Sequence, residues 1–307
     1  MSSQPSTLTN ALLRETVKLA RDMEGLRRFY MRWLIAGVLS TVCLVTGAVF
    51  QIKTAIPAEG LIIFISLLIS VILAQILNAL YRRAGKAMFV AGMAETAGLT
   101  YDADGVFSIG EIQKHKIIPA HNTAEIEDGF SGTVHGVPVS FQETRLSDIQ
   151  QAKGHESNRR DFTAFWGMLI RIRLHKAMEA HTIVVPRAGL QSLFRGRLDG
   201  FEPVRVAAKF EKSYSVMATD QVEARVILDP AFMERFLEAA SIMRARWMEA
   251  SFMGNEILFA VQRFRPLFEV GSLWQPVTPE YLRKLADHID AVDRMIEALK
   301  LNRHVGL

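Results

Sequence analysis

One cysteine, Cys43, occurs among 307 residues, so no disulfide can close within them, and a reducing compartment suits the chain. Catalytic signatures are missing too. There is no Gly-x-Ser-x-Gly elbow and no glycine-rich phosphate loop closed by Lys. The 8 histidines are scattered: His115 and His121, or His175 and His181, stand six apart with no cysteine beside them. That spacing suits no metal site, and no cofactor is implied. Charge is absent from two long stretches, Trp33 to Ile52 and Leu61 to Tyr81. At about 1.5 Å per residue each makes a helix of roughly 30 Å, the thickness of a bilayer's hydrocarbon core.

A buried core helix keeps a polar stripe, whereas Leu61 to Tyr81 offers only Ser66, Ser70, Gln75 and Asn78 among fourteen Leu, Ile, Val and Phe. Those apolar side chains favour insertion by about 4–8 kcal/mol. Two membrane spans, 33–52 and 61–81, are therefore expected, joined by a short reversal marked by Pro57 and Gly60. Ser66, Ser70, Ala74 and Asn78 on the second span, and Ala36, Ser40, Cys43 and Gly47 on the first, form seams of small or weakly polar residues suited to close helix approach. Closing the hairpin on itself is the simpler use of such seams, dimerisation the other. No cleavage site is evident, so the first span is expected to be retained.

Orientation follows the basic residues. Arg21, Arg27, Arg28 and Arg32 precede the first span, Arg82, Arg83 and Lys86 follow the second, and the connection holds only Lys53. Both termini are thus expected on the cytoplasmic side of a bacterial inner membrane, with Tyr30, Trp33 and Tyr81 as interfacial aromatics. Of the 36 Lys and Arg, 9 precede Ala84 against 4 acids, and the remaining 27 meet 28 acids. The net charge of +4 is therefore a membrane flank, and nucleic acid is not expected as a partner.

The rest of the chain predicts an α+β fold, with an amphipathic helix over 1–32, the hairpin over 33–83 and one domain of mostly antiparallel sheet with packed helices over 84–307. Leu12, Thr16, Leu19, Met23, Leu26, Tyr30 and Trp33 keep a heptad spacing. Leu282, Leu285, Ile289, Val292, Ile296 and Leu299 keep it in a C-terminal helix over 279–301, begun by Thr278 as N-cap and Pro279. Hairpins are predicted at His135–Gly136 and at Gly254–Asn255. In "LIRIRLH", Ile170, Ile172 and Leu174 alternate with Arg171, Arg173 and His175, and "HTIVVP" is expected to return as a further strand after a short turn. "QAKGHESNRRD", 151–161, is read as a loop. Asp220 with Glu223 forms a capping-box pattern, and Asp229 before Pro230 opens a helix with Phe232, Met233, Phe236, Leu237 and Ala240 on one face.

"FEKSYSVMATDQVEARVILDPAFMERFLE", with "RPLFE", "GFSGTVHGVPVSFQET" and "FWGMLIRIRL", resembles a bacterial membrane-protein family catalogued as domain of unknown function 3137. The likeness runs roughly from Gly85 to Glu269, is most specific from Asp220 to Arg225, and leaves the C-terminal helix outside. It implies an anchored soluble domain and no activity.

Two groups of residues are candidate sites. Asp220, Glu223 and Arg225 place two carboxylates and a guanidinium within six positions, the material of acid–base chemistry, although a cap and an ion pair account for them equally. Arg171, Arg173 and His175 share one strand face in a basic stretch, where 9 bases from Arg159 to Arg205 meet 4 acids, and such a face suits an anionic ligand. Acidic neighbours over Glu95 to Glu156 would satisfy it too. The heptad helices could pair with each other, with a partner chain or with the body of the domain, the last being the commonest fate of such stripes. The expected function is a membrane-tethered binding or scaffold module, with the C-terminal helix as a surface for a protein partner. The alternative is a membrane-anchored, hydrolase-like enzyme using Asp220 and Glu223.

Overall fold

The computed structural model describes residues 7–51, 58–151, 159–187 and 199–301. The chain forms an N-terminal pair of long helices followed by an antiparallel sheet with helices, an α+β fold. It divides into two compact units. One comprises Met1–Met93 with Phe268–Ala286, the other Ala94–Leu267 with Asp287–Leu307, so 268–286 groups with the helices and not with the sheet.

In the first unit, α1 (Thr7–Gln51) runs without a break from the amphipathic stretch into the apolar one, and α2 (Ala58–Thr96) continues without a break past the second apolar run. The helices are antiparallel neighbours along most of their length. A Cβ on Gly37 would strike Leu73, one on Gly85 would reach Met23, and one on Gly92 would reach Leu19. Leu12, Thr16, Leu19 and Met23 are buried as their spacing predicts, whereas Trp33 is exposed and Leu34 takes its place. The seam on α2 holds, with Ser66, Ser70, Ala74 and Asn78 partly covered. That on α1 does not: Ala36, Ser40, Cys43 and Gly47 face outward while Leu34, Gly37, Val38 and Thr41 turn toward the hairpin. Two neighbouring stripes of one helix both offered small residues, and only packing against Leu73 selects between them.

In the second unit a seven-stranded sheet runs β1 (Leu99–Asp102), β2 (Thr123–Val134), β3 (Val137–Gln151), β4 (Arg159–Pro186), β6 (Tyr214–Ala218), β5 (Glu202–Val204), with β7 (Trp247–Gln262) on β4. His135 and Gly136, both at positive φ, make the expected two-residue turn. Of the stretch 151–161, Gln151 and Arg159–Asp161 pair as strand, and 152–158 lie outside the described residues.

β4 and β7 are not straight. Sixteen extended residues would separate the ends of β7 by about 50 Å, yet Arg246 N–H donates to Gln262 O at 3.0 Å. The strand therefore doubles back at Gly254 (φ 57), which is the hairpin read from sequence. β4 doubles back as well, since Leu169 and Ile183 share one core cluster. Its first arm pairs 167–173 with 256–262, its second pairs 182–184 with 250–252, and Met178 lies opposite Gly254. "HTIVVP" is this second arm. In place of a short turn, the chain makes a wide bend between Arg173 and Thr182.

The sheet is covered on both faces. On one, Ile109 and Ile112 of α3 (Ile109–Ile112), with Phe107, Ile117 and Ile118 on either side of it, pack on Leu169, Ile183 and Leu258. Gln142 pins this cover by accepting from Val106 N and Phe107 N, both at 3.0 Å, and donating to Phe107 O. On the other face, Phe210 of α4 (Ala208–Glu211) stacks on Tyr214, and Phe232 and Phe236 of α6 (Pro230–Ile242) meet Phe210, Tyr214, Phe252 and Phe259 edge-on or tilted. Asp229 caps α6 as expected, and Ala239 is buried more deeply than the Ala240 named from sequence. α5 (Gln221–Ile227) and α7 (Pro279–Leu299) are the remaining α-helices among the described residues.

Candidate functional site

Strand alternation sends Arg171, Arg173 and His175 of β4 to the face covered by α3. Arg171 donates to Glu111 Oε2 at 3.2 Å and lies 4.7 Å over the Phe107 ring. Arg173, in register with Glu256 of β7, stands 3.7 Å from that carboxylate, and His175 is exposed. The two arginines thus meet acids of their own chain. Arg195 and Arg197 lie outside the described residues.

Glu256 leads to a polar network that sequence spacing did not reveal. Lys114 approaches its Oε2 at 2.9 Å, and His115 Nε2 stands 3.6 Å from the same oxygen, too far for a hydrogen bond. His115 Nδ1 lies 3.0 Å from Ser251 Oγ, which lies 2.8 Å from His181 Nε2. One hydroxyl has one proton, so it donates to one ring and accepts from the other. The carboxylate favours a proton on His115 Nε2. His115 Nδ1 then accepts from Ser251, and Ser251 accepts from His181.

Burial pulls His115 down to about 4 despite the Glu256 charge, and burial with the neighbouring His115 pulls His181 to about 4. Burial alone would raise the Glu256 carboxyl, but the hydrogen bond and charge of Lys114, with Arg171, hold it below its ordinary value. The order carboxylate, imidazole, hydroxyl is that of a nucleophile relay. Ser251 and His115 are fully buried, however, and nothing can reach the hydroxyl. The network is a buried polar core, in which His115 Nε2 has the Glu256 charge nearby but no hydrogen-bond partner among the described residues.

The carboxylates from Asp220 onward are also engaged. Asp220 caps α5, accepting from Val222 N at 2.6 Å and Glu223 N at 3.1 Å. Glu223 does not complete a capping box. Its side chain turns to β4 and accepts from Glu179 N and Ala180 N, two backbone donors at the wide bend of that strand. Arg225 donates to Gln221 Oε1 at 3.3 Å rather than forming an ion pair. Asp220 and Glu223 line an open cavity of about 400 Å³ with Glu179, Ala180, Thr219 and Val222. Among the described residues no group of three or more His, Cys, Asp or Glu could hold a metal ion.

The apolar stripe of α7 is consumed by the chain itself, since Leu282, Leu285, Ile289, Val292, Ile296 and Leu299 are all buried. A partner surface on that face is therefore closed. The large exposed apolar surface lies instead on α1 and α2. Both are long and apolar enough to cross a membrane, and only 6% of each hydrophobic window is buried within the protein. Leu39, Val42, Leu44, Phe64 and Leu67 stand open to the surroundings.

Residues 163–301 match the family described as protein of unknown function DUF3137. The match bears out the resemblance carried by "SYSVMATDQVEARVILDP" and moves its limits: the segment 85–162 falls outside it, and α7 falls inside. The crystal structure of the mycobacterial trehalose monomycolate transport factor A, TtfA, is a distant likeness at 9% identity and a TM-score of 0.38, covering 70% of this chain and 96% of that one. A score of that size assigns neither fold nor function. No curated protein matches the chain.

Proposed function

We propose that the protein is a membrane-anchored binding or scaffold module, in which α1 and α2 cross a bacterial inner membrane and hold the sheet-bearing unit at its cytoplasmic surface. The observation that carries this reading is the exposure of two long apolar helices, because water would oppose so large an uncovered surface and lipid would not. The arginines that flank the apolar runs support termini on the cytoplasmic side. Asp220 and Glu223, on which the hydrolase-like alternative rests, each hold backbone donors of their own chain, and no observation favours that alternative.

Alkaline carbonate extraction of native membranes tests the anchor, with the full-length chain expected in the pellet and release into the supernatant overturning it. Orientation is tested with a cysteine placed within 52–57 and another at Val222, in a Cys43→Ser background. An impermeant maleimide applied to whole spheroplasts is expected to label the first site and to reach the second only after lysis.

A further inference from the structure

The first unit contains a segment whose path follows α2 into its apolar run. Glu269 pairs with Arg82, the first cation after that run. Four residues on, Leu273 N–H donates to Asn78 Oδ1 at 2.9 Å, and Leu273 O accepts from Arg27 Nη1 at 3.3 Å. Asn78 lies one turn, about 6 Å, nearer the apolar centre than Arg82. Leu273 itself is fully buried beside Leu34 and Tyr81. The chain then climbs back, with Val277 N–H reaching Glu24 Oε2 at 3.4 Å before α7 begins.

The composition of the dip matches its depth. Residues 270–279, "VGSLWQPVTP", carry no charge. Their backbone is tied at its lowest point by the Asn78 amide and turned by the Gln275 N–H to Ser272 O bond at 3.1 Å. Trp274 stands 58% exposed next to the fully buried Leu273, and Trp33 on α1 is similarly exposed. An indole held open at the edge of an apolar surface is an amphipathic group placed where headgroups meet acyl chains.

We propose that residues 270–277 are a third membrane contact, an interfacial anchor in which Trp274 enters the lipid boundary on the side where both termini lie. The proposal rests on the reading that α1 and α2 span the bilayer. Its occupant is the bilayer, because the segment is uncharged and packs through Leu273 on Leu34 and Tyr81, at the ends of the two exposed apolar runs.

The test uses the full chain, reconstituted in phospholipid vesicles, with Cys43→Ser and one cysteine carrying an environment-sensitive fluorophore. Three sites are compared: Gln275→Cys beside Trp274, Leu44→Cys on the apolar face of α1, and Val222→Cys on α5. All three side chains are exposed, so substitution leaves packing intact. Blue-shifted emission at 275, lost on quenching by lipids with a nitroxide high on the acyl chain and little affected by one near its end, is the expected result. Adding Trp274→Lys should return that emission toward the aqueous value seen at 222.

Aqueous emission at 275 with lipid quenching at 44 overturns the anchor while leaving the spanning helices in place. A 275 signal that is blue-shifted but untouched by any lipid quencher also overturns it, since a protein surface would then cover the segment. Aqueous emission at both 275 and 44 overturns the spanning reading itself.

Discussion

At the scale of single residues, the network of His115, Ser251, His181 and Glu256 shows how a polar group is kept inside a sheet. Each ring nitrogen facing Ser251 is served by one hydroxyl. Ser251→Ala is expected to leave two buried nitrogens unpaired and to cost about 1–3 kcal/mol, read as a lower unfolding temperature in detergent. Acid should act at the same place. His115, His181 and His288 are all drawn down to about 4, chiefly by burial and, for His288, also by Arg263, Arg265 and Arg244. An unfolded histidine takes its proton near 6.5. Their contribution is therefore complete above that pH and is lost as pH falls toward 4, by up to about 3 kcal/mol each. Glu249, pushed up to about 8 by burial, has the opposite sign and is stabilising on acidification from about 8 to 4.5. Glu249→Gln should thus steepen the acid loss. A melting temperature independent of pH from 7 to 5 in both proteins would contradict the assignment.

At the scale of elements, carboxylates hold backbone donors. Asp229 serves Phe232 N and Asp220 serves two N–H groups, so Asp229→Ala or Asp220→Ala is expected to lower stability by about 0.5–2 kcal/mol, measured by thermal unfolding. Glu223→Ala should match or exceed this, because it strips the acceptor from Glu179 N and Ala180 N at the bend of β4. Both helix starts were legible, since Asp before Pro and Asp three before Glu are local signals. The partner of Glu223 was not, because it sits 43 and 44 positions away on a strand whose bend has no sequence mark.

At the scale of the whole molecule, α7 contributes to both compact units, its first part grouping with the long helices and its remainder with the sheet. Its apolar stripe is buried throughout. Removing residues 279–307 is therefore expected to expose that core and cause aggregation or proteolysis of the whole chain, judged by size-exclusion profile and limited trypsin digestion. A truncated chain that stays monodisperse and resistant would show the stripe to be dispensable. The long helices carry their own expectation: extraction should require detergent and be unaffected by high salt, since screening weakens charge contacts and leaves apolar burial untouched.

Sequence alone determined what depends on short-range periodicity and composition: two helices long and apolar enough to cross a membrane, the His135–Gly136 turn, the alternation of Ile170, Arg171 and Ile172, the helix starts at Asp229 and Thr278, and the α+β class. Tertiary structure decided what depends on which elements meet. It turned Leu34 and Gly37, not Ala36 and Ser40, toward α2, gave the basic face of β4 to Glu111 and Glu256, and closed the α7 stripe inside the chain. It also placed Leu273 against Asn78, 195 positions apart. Periodicity states which side of an element is apolar or charged, but the neighbour that covers it is set by long-range packing, and that information is spread over residues far apart in the chain.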